Sequence, residues 1–253
     1  MIKTSIIKNY LKELPTNYLI CDIKFTKKEI DYLENFNIIN GNSFNYYGNI
    51  DDLDDIELNE FINNVGNNEN IDIFNNIIHK LGNNVTKAYN TKFCWLTIRI
   101  TIPTTDYDIP RWHIDGNFFT DSNNNQAKFI SSLKGPGTLF IKNRKSKKIN
   151  NIYEEDSKQN LEEYKKLNIF SYNEEIENNS RKRLAIKYKD IKQYQLKTRE
   201  GLIFLNLKTM SDLKKNPGLL HSEPKKDVTR IFISILPGTE ENIINFKKRR
   251  EQK

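Results

Sequence analysis

The spacing of apolar and polar residues changes character near residue 90. Before it, the period is mostly helical. Thr26 can cap a helix, Glu29 completes a capping box three residues on, and Ile30, Leu33 and Phe36 follow on one face. Asp51 to Asp55 places carboxylates at the positive end of a second helix carrying Ile56, Leu58, Phe61 and Ile62. Ile71 to Lys80 predicts a third, with Ile73, Ile77 and Leu81 on one side and His79 at its surface. An early strand is predicted at Tyr18–Ile23. Asn40-Gly41-Asn42 breaks the chain, and Asn63 to Asn70 is a polar loop.

After Thr91, β-branched and aromatic residues take over. Eight strands are predicted: Phe93–Ile102, Arg111–Asp115, Lys128–Leu133, Thr138–Ile141, Tyr194–Leu196, Gly201–Asn206, Leu219–Ser222 and Thr229–Leu236. Gly135-Pro136-Gly137 is expected to join the third and fourth as a hairpin. Lys142 to Lys189 interrupts the β pattern. It opens on a basic run, Lys142 to Lys148, holds a helix near Leu161–Leu167, and contains Arg181-Lys182-Arg183. A stretch this long without strand character reads as an insertion. The chain thus divides into a helical support region (1–90), a β domain (91–240) with an insertion at about 142–190, and a basic tail (241–253). The fold class is mainly β with N-terminal helices, an α+β arrangement.

Composition sharpens this picture only in places. The 253 residues suit one large core with additions. Roughly one residue in seven is Asn, read here as loop filler. Net charge is +7 but uneven: residues 1–100 carry a net −3 and residues 101–253 a net +10. A basic half attracts acidic partners such as nucleic acid, although its aromatic residues are not interleaved in any nucleic-acid-binding motif. Cys21 and Cys94 form neither a zinc spacing nor a disulfide framework, which fits a reduced intracellular compartment. The expected location is cytoplasmic, with the Lys247 to Arg250 run a candidate nuclear address. Lys residues inside the first apolar run argue against a signal peptide, and no apolar stretch is long enough to span a membrane.

Only three histidines are present: His79, His113 and His221. Two fall where a metal site needs them. His113 and Asp115 alternate on a strand, so their heads emerge on one face. His221 stands in a later strand. Two imidazoles and a carboxylate on one face form the set that holds non-haem Fe(II), leaving other positions open for a co-substrate and O₂. Arg230 follows His221 by nine residues. Tyr107 and Trp112 flank the ligand strand; alternation makes Trp112 a packing residue.

Residues 93–238 resemble the Fe(II)/2-oxoglutarate-dependent dioxygenases. The resemblance rests on Trp112-His113-Ile114-Asp115-Gly116, on Gly135-Pro136-Gly137-Thr138, which is similar to the Gly-Gly-x-Thr hairpin of the prolyl-hydroxylase-like branch, on Gly201–Asn206 before Leu220-His221, and on Arg230. It implies a double-stranded β-helix (jelly-roll, cupin-like) core. It implies His113, Asp115 and His221 as iron ligands, Arg230 on the distal carboxylate of 2-oxoglutarate, and Ser131, Ser132 or Thr138 as the assisting hydroxyl. The implied reaction is hydroxylation or oxidative demethylation of a protein, nucleic-acid or small-molecule substrate, with O₂ consumed and succinate and CO₂ released. The competing reading is a non-catalytic jelly-roll module that uses its basic surface for partners.

Overall fold

The computed structural model describes residues 16–252 apart from 67, 106–108, 120–125, 144, 170, 216 and 226. Tyr107, residues 121–125 and the apolar runs before residue 16 lie outside these. In chain order the elements are β1 (Tyr18–Asp22), α1 (Lys27–Asn35), β2 (Asn42–Asn49), α2 (Asp55–Val65), α3 (Ile71–Ala88), β3 (Phe93–Thr101), β4 (His113–Ile114), β5 (Ala127–Lys134), β6 (Leu139–Ile141), α4 (Lys147–Lys166), α5 (Glu174–Lys187), β7 (Tyr194–Gln195), β8 (Glu200–Leu205), β9 (Leu220–Ser222), β10 (Arg230–Gly238) and α6 (Glu240–Glu251).

The strands form two antiparallel sheets. The major sheet runs β1-β8-β5-β10-β3-β2, and the minor sheet β4-β9-β6-β7. Alternation decides what each face of the major sheet meets. Leu96, Ile98, Ile100, Phe129, Ile203 and Ile233 point one way, onto α1 to α3. Tyr18, Ile130, Leu202 and Phe204 point the other way and pack against Phe140 and Leu219 of the minor sheet and its approach. The far face of the minor sheet, through Ile114, Ile141 and Leu220, is closed by Ile149, Leu184 and Tyr188 of the α4–α5 hairpin and its exit. The order is helices, sheet, sheet, helices.

Helix starts follow the sequence. Thr26 and Glu29 form the predicted capping box, and Asp54 caps α2. Helix α3 runs on to Ala88, eight residues past the predicted end, because Leu81, Val85 and Ala88 continue its buried stripe. His79 lies at the surface beside Asp55.

Four elements differ from expectation. The stretch after the Asn-Gly-Asn break is strand β2, whose Phe44 and Tyr46 pack with the helices while Asn45 and Tyr47 pair with Thr97 and Trp95. Its Asn and Gly content hides the alternation. The expected β5–β6 hairpin does not form. Strand β5 already has β8 and β10 on its two edges, so β6 crosses to the minor sheet. The 142–190 segment holds two helices rather than one short one, joined by the Asp156–Arg183 ion pair. The 241–253 segment is not a free tail: α6 inserts Ile243 and Phe246 among Tyr47, Trp95 and Phe118, over the part of the major sheet that the minor sheet leaves bare.

Candidate metal centre

Strands β4 and β9 pair so that His113 stands directly opposite His221. Trp112 and Ile114 turn outward into the core against the α4–α5 hairpin, which sends His113 and Asp115 inward. Leu207 N–H donates to the Asp115 carbonyl at 2.7 Å and ties the end of β4 to the exit of β8. One ligand atom from each of His113, Asp115 and His221 lies within 4.8 Å of the others. Asp115 Oδ1 is 3.7 Å from His113 Nε2, and Oδ2 is 3.9 Å from His221 Nε2. The imidazole centroids are 4.2 Å apart.

Both rings are oriented by backbone carbonyls. His113 Nδ1 sits 2.9 Å from the Arg111 carbonyl and His221 Nδ1 2.9 Å from the Leu219 carbonyl. A carbonyl only accepts, so each Nδ1 carries the proton and each Nε2 presents a lone pair toward Asp115. The charges agree. Burial pushes His113 down, with Asp115 pulling back. Burial and then the neighbouring His113 push His221 down to about 3. Burial alone would raise Asp115, but the Lys128 ammonium, then His221 and His113, override it and hold the carboxyl below its usual range. At neutral pH the group is thus two neutral imidazoles and one carboxylate, the form that ligates a divalent metal. Asn206, the residue before Leu207, is buried with neither amide atom hydrogen-bonded among the described residues.

Arg230 opens β10 on the inner face. Its Nε lies 3.0 Å from Ser132 Oγ and 3.0 Å from the Pro136 carbonyl, and its Nη2 3.0 Å from Thr138 Oγ1. Phe232 lies under the guanidinium. The group is buried, and among the described residues no carboxylate comes within ion-pair distance of it. Burial draws it down to about 10, with Glu223 pulling up. A buried guanidinium without a carboxylate carries an unmet demand for an anion. A shallow cleft lined by Thr101, Glu223 and Val228 reaches it.

The Gly135-Pro136-Gly137 turn therefore wraps Arg230 instead of closing a hairpin. Gly135 has φ +77°, and a Cβ there would stand 2.4 Å from the Thr229 carbonyl. Of the three candidate hydroxyls, Ser132 and Thr138 meet Arg230, whereas Ser131 turns away and donates to the Glu200 carbonyl. Arg99 lies on the inner face and pairs with Glu223 at 2.7 Å, with Arg111 3.6 Å from the same oxygen. Trp112 is buried beside Tyr188, as alternation requires.

Lys128 belongs to no motif in the sequence. Its Nζ is 3.0 Å from Asp115 Oδ2, and the rings of Trp95 and Phe118 lie 5.8 and 5.3 Å from it. The available signal was its place in β5, where Lys128, Ile130 and Ser132 share the inward face.

No protein-family model matches the chain, and no curated protein matches it in sequence. Solved structures do align along most of it. A Pseudomonas putida prolyl-4-hydroxylase is 8% identical with a TM-score of 0.39, covering 92% of this chain and 97% of that one. SnoK, a non-heme alpha ketoglutarate dependent carbocyclase from nogalamycin biosynthesis, is 6% identical with a TM-score of 0.39, covering 90% and 81%. The viral collagen prolyl hydroxylase vCPH from Paramecium Bursaria Chlorella virus-1, in complex with 2OG, is 11% identical with a TM-score of 0.36, covering 88% and 96%.

Proposed function

We propose that the chain is an Fe(II)- and 2-oxoglutarate-dependent dioxygenase, and that its two sheets are the halves of a double-stranded β-helix. The observation that carries this reading is the convergence of His113, Asp115 and His221 with both imidazole lone pairs free and inward. These three residues would hold Fe(II). Arg230 would bind the distal carboxylate of 2-oxoglutarate, with Ser132 and Thr138 fixing the guanidinium and sharing the anion. Bound in this centre, iron would supply O₂ activation coupled to decarboxylation of 2-oxoglutarate, with succinate, CO₂ and a hydroxylated or oxidatively demethylated substrate as products.

The protein's part is placement. The Arg111 and Leu219 carbonyls keep Nε2 of each histidine deprotonated. Leu207 holds the Asp115 backbone. Burial of Arg230 makes an ionic contact with a dicarboxylate stronger than it would be in water. The substrate, whether a protein, a nucleic acid or a small molecule, would enter beside the inner face of β3.

Anaerobic addition of Fe(II) and 2-oxoglutarate tests the reading. The chelate should give a visible charge-transfer band that is absent from Asp115→Ala. A folded wild-type protein that binds iron at none of these residues, and shows no band, would overturn it.

A further inference from the structure

The two oxygens of Asp115 are not equivalent, and Lys128 makes them so. Each faces one imidazole nitrogen, but Oδ2, 3.9 Å from His221 Nε2, is also held by the Lys128 ammonium at 3.0 Å. Oδ1 accepts no hydrogen bond among the described residues and faces His113 Nε2 at 3.7 Å. Lys128 is itself confined. It projects from β5 opposite Phe204, whose ring lies against His221 at 4.7 Å. Trp95 and Phe118 close it in from the other side. Its side chain and that of Asp115 are 13% and 12% exposed, so water competes little for the pair.

We infer that Lys128 is a positioning residue that restricts Asp115 to one-oxygen ligation. The inference rests on the metal-centre reading of His113, Asp115 and His221. A carboxylate with both oxygens free can take two positions on a divalent ion; one whose second oxygen is tied to an ammonium takes one. With Lys128 in place, three protein atoms occupy about half of a six-position shell, and about three positions stay open for small ligands. Without it, Asp115 can close a fourth. The flanking rings strengthen this device. They accept the cation's charge on their faces and leave the ammonium no other described carboxylate to turn to.

Mn(II) serves as the probe, because water-proton relaxation counts the exchangeable waters on the bound ion. Wild-type protein, Lys128→Met, Lys128→Arg and His221→Ala are each titrated with Mn(II) alone. Lys128→Met should lose about a third of the bound-ion relaxivity, as about three waters become about two. It should also bind Mn(II) more tightly, since a positive charge beside a dication is gone; a mere loss of packing would weaken binding. Lys128→Arg should keep the wild-type relaxivity. Equal relaxivity in wild type and Lys128→Met overturns the inference. If Lys128→Met fails to fold, the Mn(II)-bound crystal structure of the unchanged chain decides. One Asp115 oxygen on the ion and the other on Lys128 supports the inference; both oxygens on the ion overturns it. The two readings separate through His221→Ala. Mn(II) bound by wild type and lost in His221→Ala upholds the metal centre whatever Lys128→Met does. Binding equal in both removes the centre and the inference together.

Discussion

At the scale of single residues, Arg230 is the buried cation to which the proposed function gives a co-substrate carboxylate. Replacing it by Ala should weaken 2-oxoglutarate binding to the Mn(II)-loaded protein by roughly 2–5 kcal/mol, at least about 30-fold. Mn(II) affinity itself should change less than about threefold, because Arg230 contacts none of the three ligands. Calorimetric titration of each ligand separates the two effects, and equal losses would make Arg230 structural. His221 predicts a pH effect on stability. Its ordinary value of 6.5 falls to about 3 in the fold. Between those values the unfolded chain binds a proton that the folded chain refuses. The His221 contribution is therefore fully present above pH 6.5 and drains away as pH falls toward 3, at up to about 1.4 kcal/mol per pH unit. Asp115 adds the same sign below its ordinary 3.8. Urea midpoints of metal-free protein at pH 6.5 and 4.5 should differ more for wild type than for His221→Leu; equal differences would count against this assignment. Strand alternation marks the His113–Asp115 pair, and the family resemblance adds His221 and Arg230; the fold brings the first three together. Lys128 could not be picked out, since nothing in a lysine's local sequence says that its partner is a carboxylate from another sheet.

Elements show where one-dimensional patterns fail. The eight strands from β3 to β10 lie close to their predicted places, because their β-branched residues fill a buried surface. Which strands pair is another matter. Gly135-Pro136-Gly137 has the composition of a hairpin turn, yet the edges of β5 are taken by strands far along the chain. Turn chemistry reports local geometry and carries no information on edge availability. Strand β2 and helix α6 were hidden for the opposite reason. Their polar composition masks a few contacts, Phe44 and Tyr46 in one, Ile243 and Phe246 in the other, that dock each element. The Gly135 turn has its own test. Gly135→Ala forces a side chain into a left-handed backbone and against the Thr229 carbonyl. It should destabilise the protein by about 1 kcal/mol or more. It should also lower 2-oxoglutarate affinity, since Pro136 and Thr138 both bond Arg230. A thermal melt alongside a 2-oxoglutarate titration measures both; unchanged affinity in a destabilised variant would free the turn from any part in the site.

For the molecule as a whole, the α4–α5 hairpin matters to the centre without touching it. Strand β4 is two residues long, and its outward neighbours Trp112 and Ile114 rest on Tyr188, Ile149 and Leu184. Tyr153 adds a hydroxyl 3.3 Å from Ile114 N. Tyr188 is fully buried and donates to the Ile149 carbonyl at 3.1 Å. Tyr188→Ala should cost roughly 3–5 kcal/mol. It should also weaken Mn(II) binding, although no ligand changes; a lowered Tm with wild-type Mn(II) affinity would show that β4 stands without its helical backing. The layering itself was only half visible in the sequence. Helical support before residue 90 can be read from periodicity, whereas a hairpin that packs through a few apolar residues among many charges reads as an excursion. The pairing of His113 with His221 has one more consequence. Side chains alternate along a strand, so a slip of one residue between β4 and β9 would turn a leucine or isoleucine toward the cavity and an imidazole toward the helices. Two residues of pairing discriminate poorly between such alignments. A divalent ion does so well, because only one alignment presents all its donors together. Ion capture would then serve as proofreading: the chain that closes its sandwich wrongly is the chain that cannot hold the ion.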